Sequence, residues 1–324
     1  MEYLFLDSRI IERTENAKLV PGTAVKDPGN PLFVADKPWE PRYDNMYPNV
    51  LWDEEAEIYT CWYCPFIVDE RTTRTPAGKR NPASTNYMNA RPNRREEALL
   101  YATSRDGIHW QKPELGIIEF GGNRKNNIVV RGPSGAGVYK DARDPNPERR
   151  YKAFYAAQVG YMQLVRFSPD GLRWGPEIRC PEIRIESDCH ANMTWSPELR
   201  KYIGIVRHYD KFPVVGNRKI ARTESLDAVK WTRSTLAIEG SPQLQTHDMV
   251  IFRAGRVFLG LLGMMRYPSL KSRHGVRQHI ELAWSPDSTT WHRICPGTPL
   301  VGHTVAQEKK YGAMPCDWGA MFPS

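Results

Sequence analysis

The stretch SRDGIHW, Ser104 to Trp110, decides the fold because it returns three times. It comes back as SPDGLRW (Ser168 to Trp174), as ESLDAVKW (Glu224 to Trp231) and as SPDSTTW (Ser285 to Trp291). The tryptophans lie 64, 57 and 60 residues apart. Each copy follows a strand-like run: ALLYAT, MQLVRF, RKIART and HIELAW. Asp-Gly supplies a tight turn in the first two copies. The tryptophan then opens the next strand and is placed to pack between neighbouring sheets.

A second repeat lies between these turns. It is a hairpin with a polar turn and an aromatic second strand, found in NVLWDEEAEIYTCWY, GVYKDARDPNPERRYKAFYAA, NMTWSPELRKYIGIV and MVIFRAGRVFLGLL. The unit reads strand, turn, strand, long loop, strand, tryptophan turn, strand. Four antiparallel strands per period of about sixty residues make a propeller blade. A parallel α/β fold needs helical crossovers, and none fits here. The reading is therefore an all-β, single-domain β-propeller of four-stranded antiparallel blades. Full blades fall at roughly 45–120, 127–182, 188–240 and 245–300. A partial fifth falls at 301–324, where CDWGAMFPS looks like a first strand. The fifth blade is read either as incomplete or as closed by a strand from YLFLDSRII, a segment of residues 1–44, which also hold a lead-in loop.

Composition agrees with many short strands. The 324 residues are 40% hydrophobic and 11% aromatic, with 24 Gly and 26 Pro. No window approaches eighteen apolar residues, so no membrane span or membrane partner is expected. The N-terminus lacks a basic region followed by an apolar core, so no signal peptide is read and a cytoplasmic location is expected. The net charge of +8 is spread among acids rather than gathered in a tail. That reads as a mildly basic surface, or as a basic pocket for an acidic substrate. Nucleic acid is not expected as a partner, for want of any helix-turn-helix, zinc-finger or RNP pattern. Cys61 and Cys64 form a C-x-x-C within a strand, where they face opposite sides. The six cysteines are read as buried free thiols rather than a redox or zinc motif.

Three stretches carry a family resemblance: NPLFVADKPWE, YATSRDGIHWQKPELGIIEFGGNRKNNIV and IARTESLDAVKWT. With them the chain resembles the five-bladed β-propeller glycosidases, the superfamily of invertase-like, levanase-like and arabinanase-like enzymes, and within it a bacterial branch. The resemblance covers nearly the whole chain. Two features of the invertase type are absent, the W-M-N-D-P-N-G string and the Glu-Cys pair that marks its acid.

The resemblance implies a substrate pocket at one end of the propeller axis, lined by the starts of the innermost strands and the ends of the second strands. Glycoside hydrolysis needs one carboxyl to protonate the leaving oxygen and a second to attack the anomeric carbon or activate water. The expected set is Asp44 as base or nucleophile, Asp188 as acid or its partner, and Asp248 as a third acidic group. Substrate contacts are expected from Trp39, Glu40, Tyr63, Glu186, His190, Arg207, His247, Arg266 and Asp317. The two histidines hold matching places in blades three and four. No third ligand accompanies them, so neither a metal nor any other cofactor is expected. Arg207 and Arg266 are suited to gripping an anionic group, or to pairing with a neighbouring acid. Arg143-Asp144-Pro145 matches a string of invertase-like enzymes, but it lies in a hairpin turn at the opposite end. There Asp141 and Asp144 read as turn formers.

The function implied is cleavage of a glycosidic bond in a small carbohydrate or oligosaccharide, furanosyl or similar and possibly anionic. Two alternatives stay open: a glycoside phosphorylase on the same fold, and a non-catalytic carbohydrate-binding propeller. The oligomeric state is not legible.

Overall fold

The computed structural model describes residues 4–6, 11–22, 24–43, 46–76, 79, 94–157, 162–184, 190–209, 218–269 and 276–301. They form an all-β fold of four antiparallel sheets arranged radially as a propeller. Blade one holds β1 (Asn49–Asp53), β2 (Ile58–Tyr63), β4 (Arg95–Ser104) and β5 (Trp110–Gln111). Two short strands, β3 (Phe66–Asp69) and β6 (Ile128–Arg131), extend it by pairing with β4. Blade two holds β7 (Pro133–Lys140), β8 (Tyr151–Ala157), β9 (Met162–Ser168) and β10 (Ile178–Arg184). Blade three holds β11 (Asn192–Ser196), β12 (Lys201–Tyr209), β13 (Arg218–Ser225) and β14 (Thr235–Glu239). Blade four holds β15 (Leu244–Ala254), β16 (Val257–Arg266), β17 (Arg277–Ser285) and β18 (His292–Arg293). One short helix, α1 (Glu70–Arg74), follows β3 and is capped by the Asp69 side chain, which accepts from the Thr72 N–H. Among the described residues no helix is long and apolar enough to cross a membrane.

The tryptophan turn folds through bonds made within seven residues. In the first copy the Ser104 hydroxyl accepts from the Gly107 N–H, and Asp106 Oδ1 accepts from the N–H groups of Ile108 and His109. Asp170, Asp227 and Asp287 each repeat the double acceptance. The residue after each Asp has positive φ: Gly107, Gly171, Ala228 and Ser288. Gly is thus favoured there but not required, since the Asp carboxylate holds the turn. The indole N–H of Trp110, Trp231 and Trp291 donates back to the carbonyl of that same residue. The aromatic faces fill the spaces between blades, as where Trp231 stacks on Phe154 of blade two at 4.8 Å between centroids.

The inner strands β1, β7, β11 and β15 share one direction. Ala136 of β7 and Ala191, the residue just before β11, form a parallel bridge. Their approach is close: a Cβ on Gly137 would lie 2.3 Å from the Ala191 carbonyl oxygen. Apolar clusters fill the gaps between adjacent blades, with Trp62, Leu99 and Tyr155 between one and two, and Phe154, Val165 and Tyr202 between two and three. Ile203, Met249 and Leu262 do the same between three and four. Full burial of each such side chain contributes about 1.5–3 kcal/mol.

Three expectations change here. The described residues form four blades, not five. Of the partial fifth blade at 301–324 only Val301 is described, and it bridges Ile280 in blade four. Most of the segment YLFLDSRII, residues 3 and 7–10, lies outside the described residues, and with it the expected closing strand; among the described residues before Asn49, Arg42 makes a single bridge to Phe66. The second blade begins later than residue 127, because Ile128–Arg131 pairs with β4 and belongs to blade one. Further, Asp141 and Asp144 are more than turn formers. Both contact the fully buried Lys152 Nζ, at 3.2 and 3.0 Å, and Asp141 also accepts from the Tyr202 hydroxyl at 2.5 Å. The result is an ionic joint between blades two and three at the end where the hairpin turns lie.

Cys61 and Cys64 are fully buried free thiols on the two faces of blade one. Burial pushes the Cys64 thiol up to about 12, so it stays protonated and unreactive.

Candidate functional site

Because the inner strands run parallel, their starts meet at one end of the axis. At that end β15 carries a bulge. Its pairing with β16 breaks between Thr246 and Met249, and the intervening residues are His247 and Asp248. A bulge re-aims side chains that a regular ladder would send to opposite faces. Both residues are buried, and His247 Nδ1 lies 3.3 Å from Asp248 Oδ1. Gly263 on β16 makes room for this carboxylate, since a Cβ there would stand 2.0 Å from Asp248 Oδ1. Asp248 Oδ2 is buried with no hydrogen-bond partner among the described residues.

Arg207, at the end of β12, reaches across from blade three. Its Nε donates to the His247 carbonyl at 2.7 Å, and Nη2 lies 2.9 Å from His247 Nε2. His190, just before β11, stacks on Tyr47 of blade one, with centroids 5.2 Å apart and planes 18° off parallel. Its Nε2 is 3.4 Å from Asn49 Oδ1. Tyr47 itself has φ of 38° and is 2% exposed.

The charges of this cluster are set by burial and by one another. Burial pushes His247 down to about 3, and the Arg207 guanidinium adds to the effect. Burial likewise brings His190 down to about 4, against the pull of Asp248. Both rings are neutral near pH 7. For Asp248 burial acts upward, but the His247 hydrogen bond and the nearby Arg207 outweigh it, so the carboxyl lies below its ordinary value. Asp248 is a buried carboxylate with one oxygen uncommitted among the described residues. Among the described residues no group of three His, Cys, Asp or Glu is arranged to hold a metal ion.

Four of the expected site residues therefore come together: Asp248, His247, Arg207 and His190. Asp44, Glu186, Asp188 and Asp317 lie outside the described residues. Arg266 is exposed at the same end of blade four, on the last rung of β16. Trp39, Glu40 and Tyr63 form a separate network. The Tyr63 hydroxyl donates to Glu40 Oε1 at 2.6 Å, Asn127 Nδ2 donates to the Tyr63 oxygen, and Trp39 Nε1 donates to Asn127 Oδ1. Lys112 Nζ closes it, within 2.7 Å of Glu40, Asp36 and the Tyr43 hydroxyl and 4.7 Å from the Phe33 ring centroid. These groups pin the lead-in loop to blade one, and their polar atoms are spent on each other.

Three contributors are not among the expected residues. Asn49 and Asn192 occupy the same place in NVLW and NMTW, which is a legible signal. Gly263 carries none, because its importance depends on a bulge in another strand.

No family model matches the chain, and no curated protein matches it. Solved structures do resemble it. One is BT0996 in a complex with RGII: TM-score 0.51, 12% identity, covering 86% of this protein and 82% of that one. Another is an N-acetylgalactosamine deacetylase from F. plautii with blood group B trisaccharide: TM-score 0.45, 13% identity, 68% and 63% covered. A third is a fructofuranosidase from Schwanniomyces occidentalis with fructosylnystose: TM-score 0.47, 15% identity, 76% and 45% covered. The chain thus spans less than two thirds of the deacetylase and under half of the fructofuranosidase. At these identities the likeness extends to the fold alone, an all-β propeller.

Proposed function

We propose that this chain is a glycoside hydrolase acting at the end of the axis where the inner strands begin. The observation that carries the reading is Asp248: a buried carboxylate on a strand bulge, oriented by His247, with one oxygen that makes no hydrogen bond among the described residues. Buried carboxylates without full compensation are costly, and they are held where a reaction uses the charge. Its lowered pKa suits an ionised group that steadies positive charge on the sugar, rather than a proton donor. The acid and the base or nucleophile are then assigned to Asp188 and Asp44. Asp188 is two residues before His190 in the chain, and Asp44 three before Tyr47. One gives its proton to the leaving oxygen; the other attacks the anomeric carbon or activates water. The neutral His190 and His247 offer hydrogen bonds to sugar hydroxyls. The substrate is a small carbohydrate, furanosyl or similar.

The test is a screen of aryl glycosides and short oligosaccharides, run with and without phosphate. Asp44→Asn and Asp188→Asn are expected to abolish turnover. Asp248→Asn should lower kcat on the order of a hundredfold while leaving the circular dichroism spectrum unchanged. An unchanged rate in Asp188→Asn would sink the assignment. Dependence on phosphate would make the enzyme a phosphorylase. Calorimetric sugar binding with no product would make it a non-catalytic binder.

A further inference from the structure

The sheet of blade four brings three buried oxygens onto one face. Gln245 on β15, Met265 on β16 and Gln278 on β17 stand directly opposite one another, so their side chains share a side of the sheet. Gly263, two residues before Met265, turns toward that same side. The Asp248 carboxylate lies over it, with Oδ1 2.0 Å from where a Cβ would stand. Leu261 and Ile280 continue this side as an apolar floor. The next rung, Leu244, Arg266 and Arg277, ends the sheet, and its two arginines are exposed. The glutamines therefore lie one rung in from solvent.

Gln245 Oε1, Gln278 Oε1 and Asp248 Oδ2 are each buried with no hydrogen-bond partner among the described residues. The two glutamines are 2% exposed and Asp248 is 4% exposed. Gln245 Nε2 donates to the Pro242 carbonyl at 2.7 Å, which sets the amide's orientation and leaves Oε1 as the unused atom. Two neighbouring donors are directed elsewhere: the Tyr267 hydroxyl donates to Met265 Sδ, and Arg218 Nη1 donates to the Tyr267 oxygen at 2.9 Å. Buried acceptors without donors are costly, and a group of them on one face calls for a common partner. All three atoms accept, so that partner must donate. Sugar hydroxyls do so without bringing charge. A metal ion fits less well, because two guanidiniums border the same residues: Arg207 donates to the His247 carbonyl, and Arg218 to Met265 Sδ.

We infer that this face of blade four is a sugar subsite, where Gln245, Gln278 and Asp248 accept hydrogen bonds from the hydroxyls of a neutral furanoside. This rests on the glycosidase reading of Asp248 and adds the two glutamines as specificity-determining residues. The probes are methyl α-L-arabinofuranoside and methyl β-D-fructofuranoside, each with analogues in which one hydroxyl at a time is replaced by fluorine. Fluorine takes nearly the space of a hydroxyl but cannot donate. Calorimetry should show that one parent binds and that at least one of its fluoro analogues binds about tenfold or more weakly. Gln278→Met should weaken the parent by a similar factor and erase the difference between parent and analogue, as expected of coupled partners. Gln163→Met removes another buried amide, on blade two, and should change affinity by less than about twofold. Without ligand, the Tm of Gln278→Met should be unchanged or higher, because an apolar side chain of similar size replaces an unpaired acceptor. A fall beyond about 2 °C would overturn the inference, since the amide would then be held by structural water. Binding of neither parent would overturn it, as would an analogue penalty that persists in Gln278→Met. A calcium-dependent rise in Tm that Gln278→Met abolishes would overturn it in favour of a cation. Binding that depends on Gln278 without bond cleavage would end the glycosidase reading and leave this one standing. Cleavage with the same KM in Gln278→Met and the native protein would do the reverse.

Discussion

Asn49 and Asn192 make the same clasp between neighbouring blades. The Asn192 amide donates to the Met249 carbonyl at 2.7 Å and accepts from the Ile251 N–H at 3.1 Å, both on the inner strand of blade four. Asn49 donates to the Ala136 carbonyl at 2.8 Å and accepts from the Val138 N–H at 3.0 Å, on the inner strand of blade two. Inner strands of adjacent blades do not share a regular ladder, so the side-chain amide stands in for a missing rung. Asn192→Ala would leave a buried carbonyl and a buried N–H without partners. At 1–3 kcal/mol for each orphaned group, a loss of about 2–4 kcal/mol is expected. Urea unfolding measures it, and a loss below about 1 kcal/mol would mean that water replaces the clasp.

The Lys152 joint gives a prediction of opposite character. Lys152 is fully buried between Asp141 and Asp144, and Arg143 lies over the Trp195 ring of blade three at 3.8 Å. Lys152→Met matches the volume but leaves two acids facing each other. Breaking a buried pair on one side costs about 3–5 kcal/mol. Lys152→Met with Asp141→Asn and Asp144→Asn removes the charges together and should recover most of that loss. Failure of the triple variant to recover would show that packing, not charge, dominates the joint.

Gly171 is where a turn of blade two meets blade one. Its φ is +74°, and its carbonyl accepts from Trp62 Nε1 at 2.7 Å. The other three turns use the equivalent carbonyl for their own tryptophan. A Cβ on Gly171 would stand 2.5 Å from Trp62 Cζ2. Gly171→Ala therefore combines left-handed strain of about 1 kcal/mol with an overpacking cost of about 1–3 kcal/mol. Gly107→Ala has the same φ and no contact under 3.6 Å, so it should show the strain alone. The difference between the two variants in thermal melts isolates the clash.

These residues also explain what was legible in the sequence. The tryptophan turn could be read because its Ser, Asp and Trp bond within seven residues, so the pattern and the structure share one window. The blade period followed from it. The number of blades did not, because closing a ring is a non-local event that no window contains. At the site, the starts of β11 and β15 could be placed from the hairpins, and with them His190, His247 and Asp248. That both residues of the 247–248 pair turn inward required the bulge, which breaks the alternation on which strand reading depends. Tyr63 reads as a pocket residue from its place at a second-strand end, and Glu40 from its place in the loop entering blade one. Their partner Lys112 is about fifty to seventy residues away in the chain, and only the fold shows that it binds them. Asp141 and Asp144 were turn formers locally and ion-pair acids globally, for the same reason.

The two axial histidines predict how stability depends on pH. Unfolded, each titrates near 6.5; folded, burial holds His190 near 4 and His247 near 3. Between those values the unfolded chain binds more protons than the folded one, so falling pH favours unfolding. Stability should be full above about pH 6.5 and decline as the pH drops toward 4. Each histidine contributes a slope of at most about 1.4 kcal/mol per pH unit. The described groups that face His190 include Tyr47, Asn49 and Asp248, and the Asp248 carboxyl lies below its ordinary value, so it is already ionised from pH 5 to 7. Exposed His109, which Asp106 pulls upward, acts in the opposite sense, but it is common to every variant and cancels in a difference. Urea midpoints from pH 7.5 to 5 should fall steadily in the native protein. His190→Gln should be less stable at pH 7.5 yet flatter with pH, its slope smaller by up to one proton. An equal slope in the two proteins would mean that His190 takes up its proton in the folded state, and that the axial cluster is open to water rather than sealed between the blades.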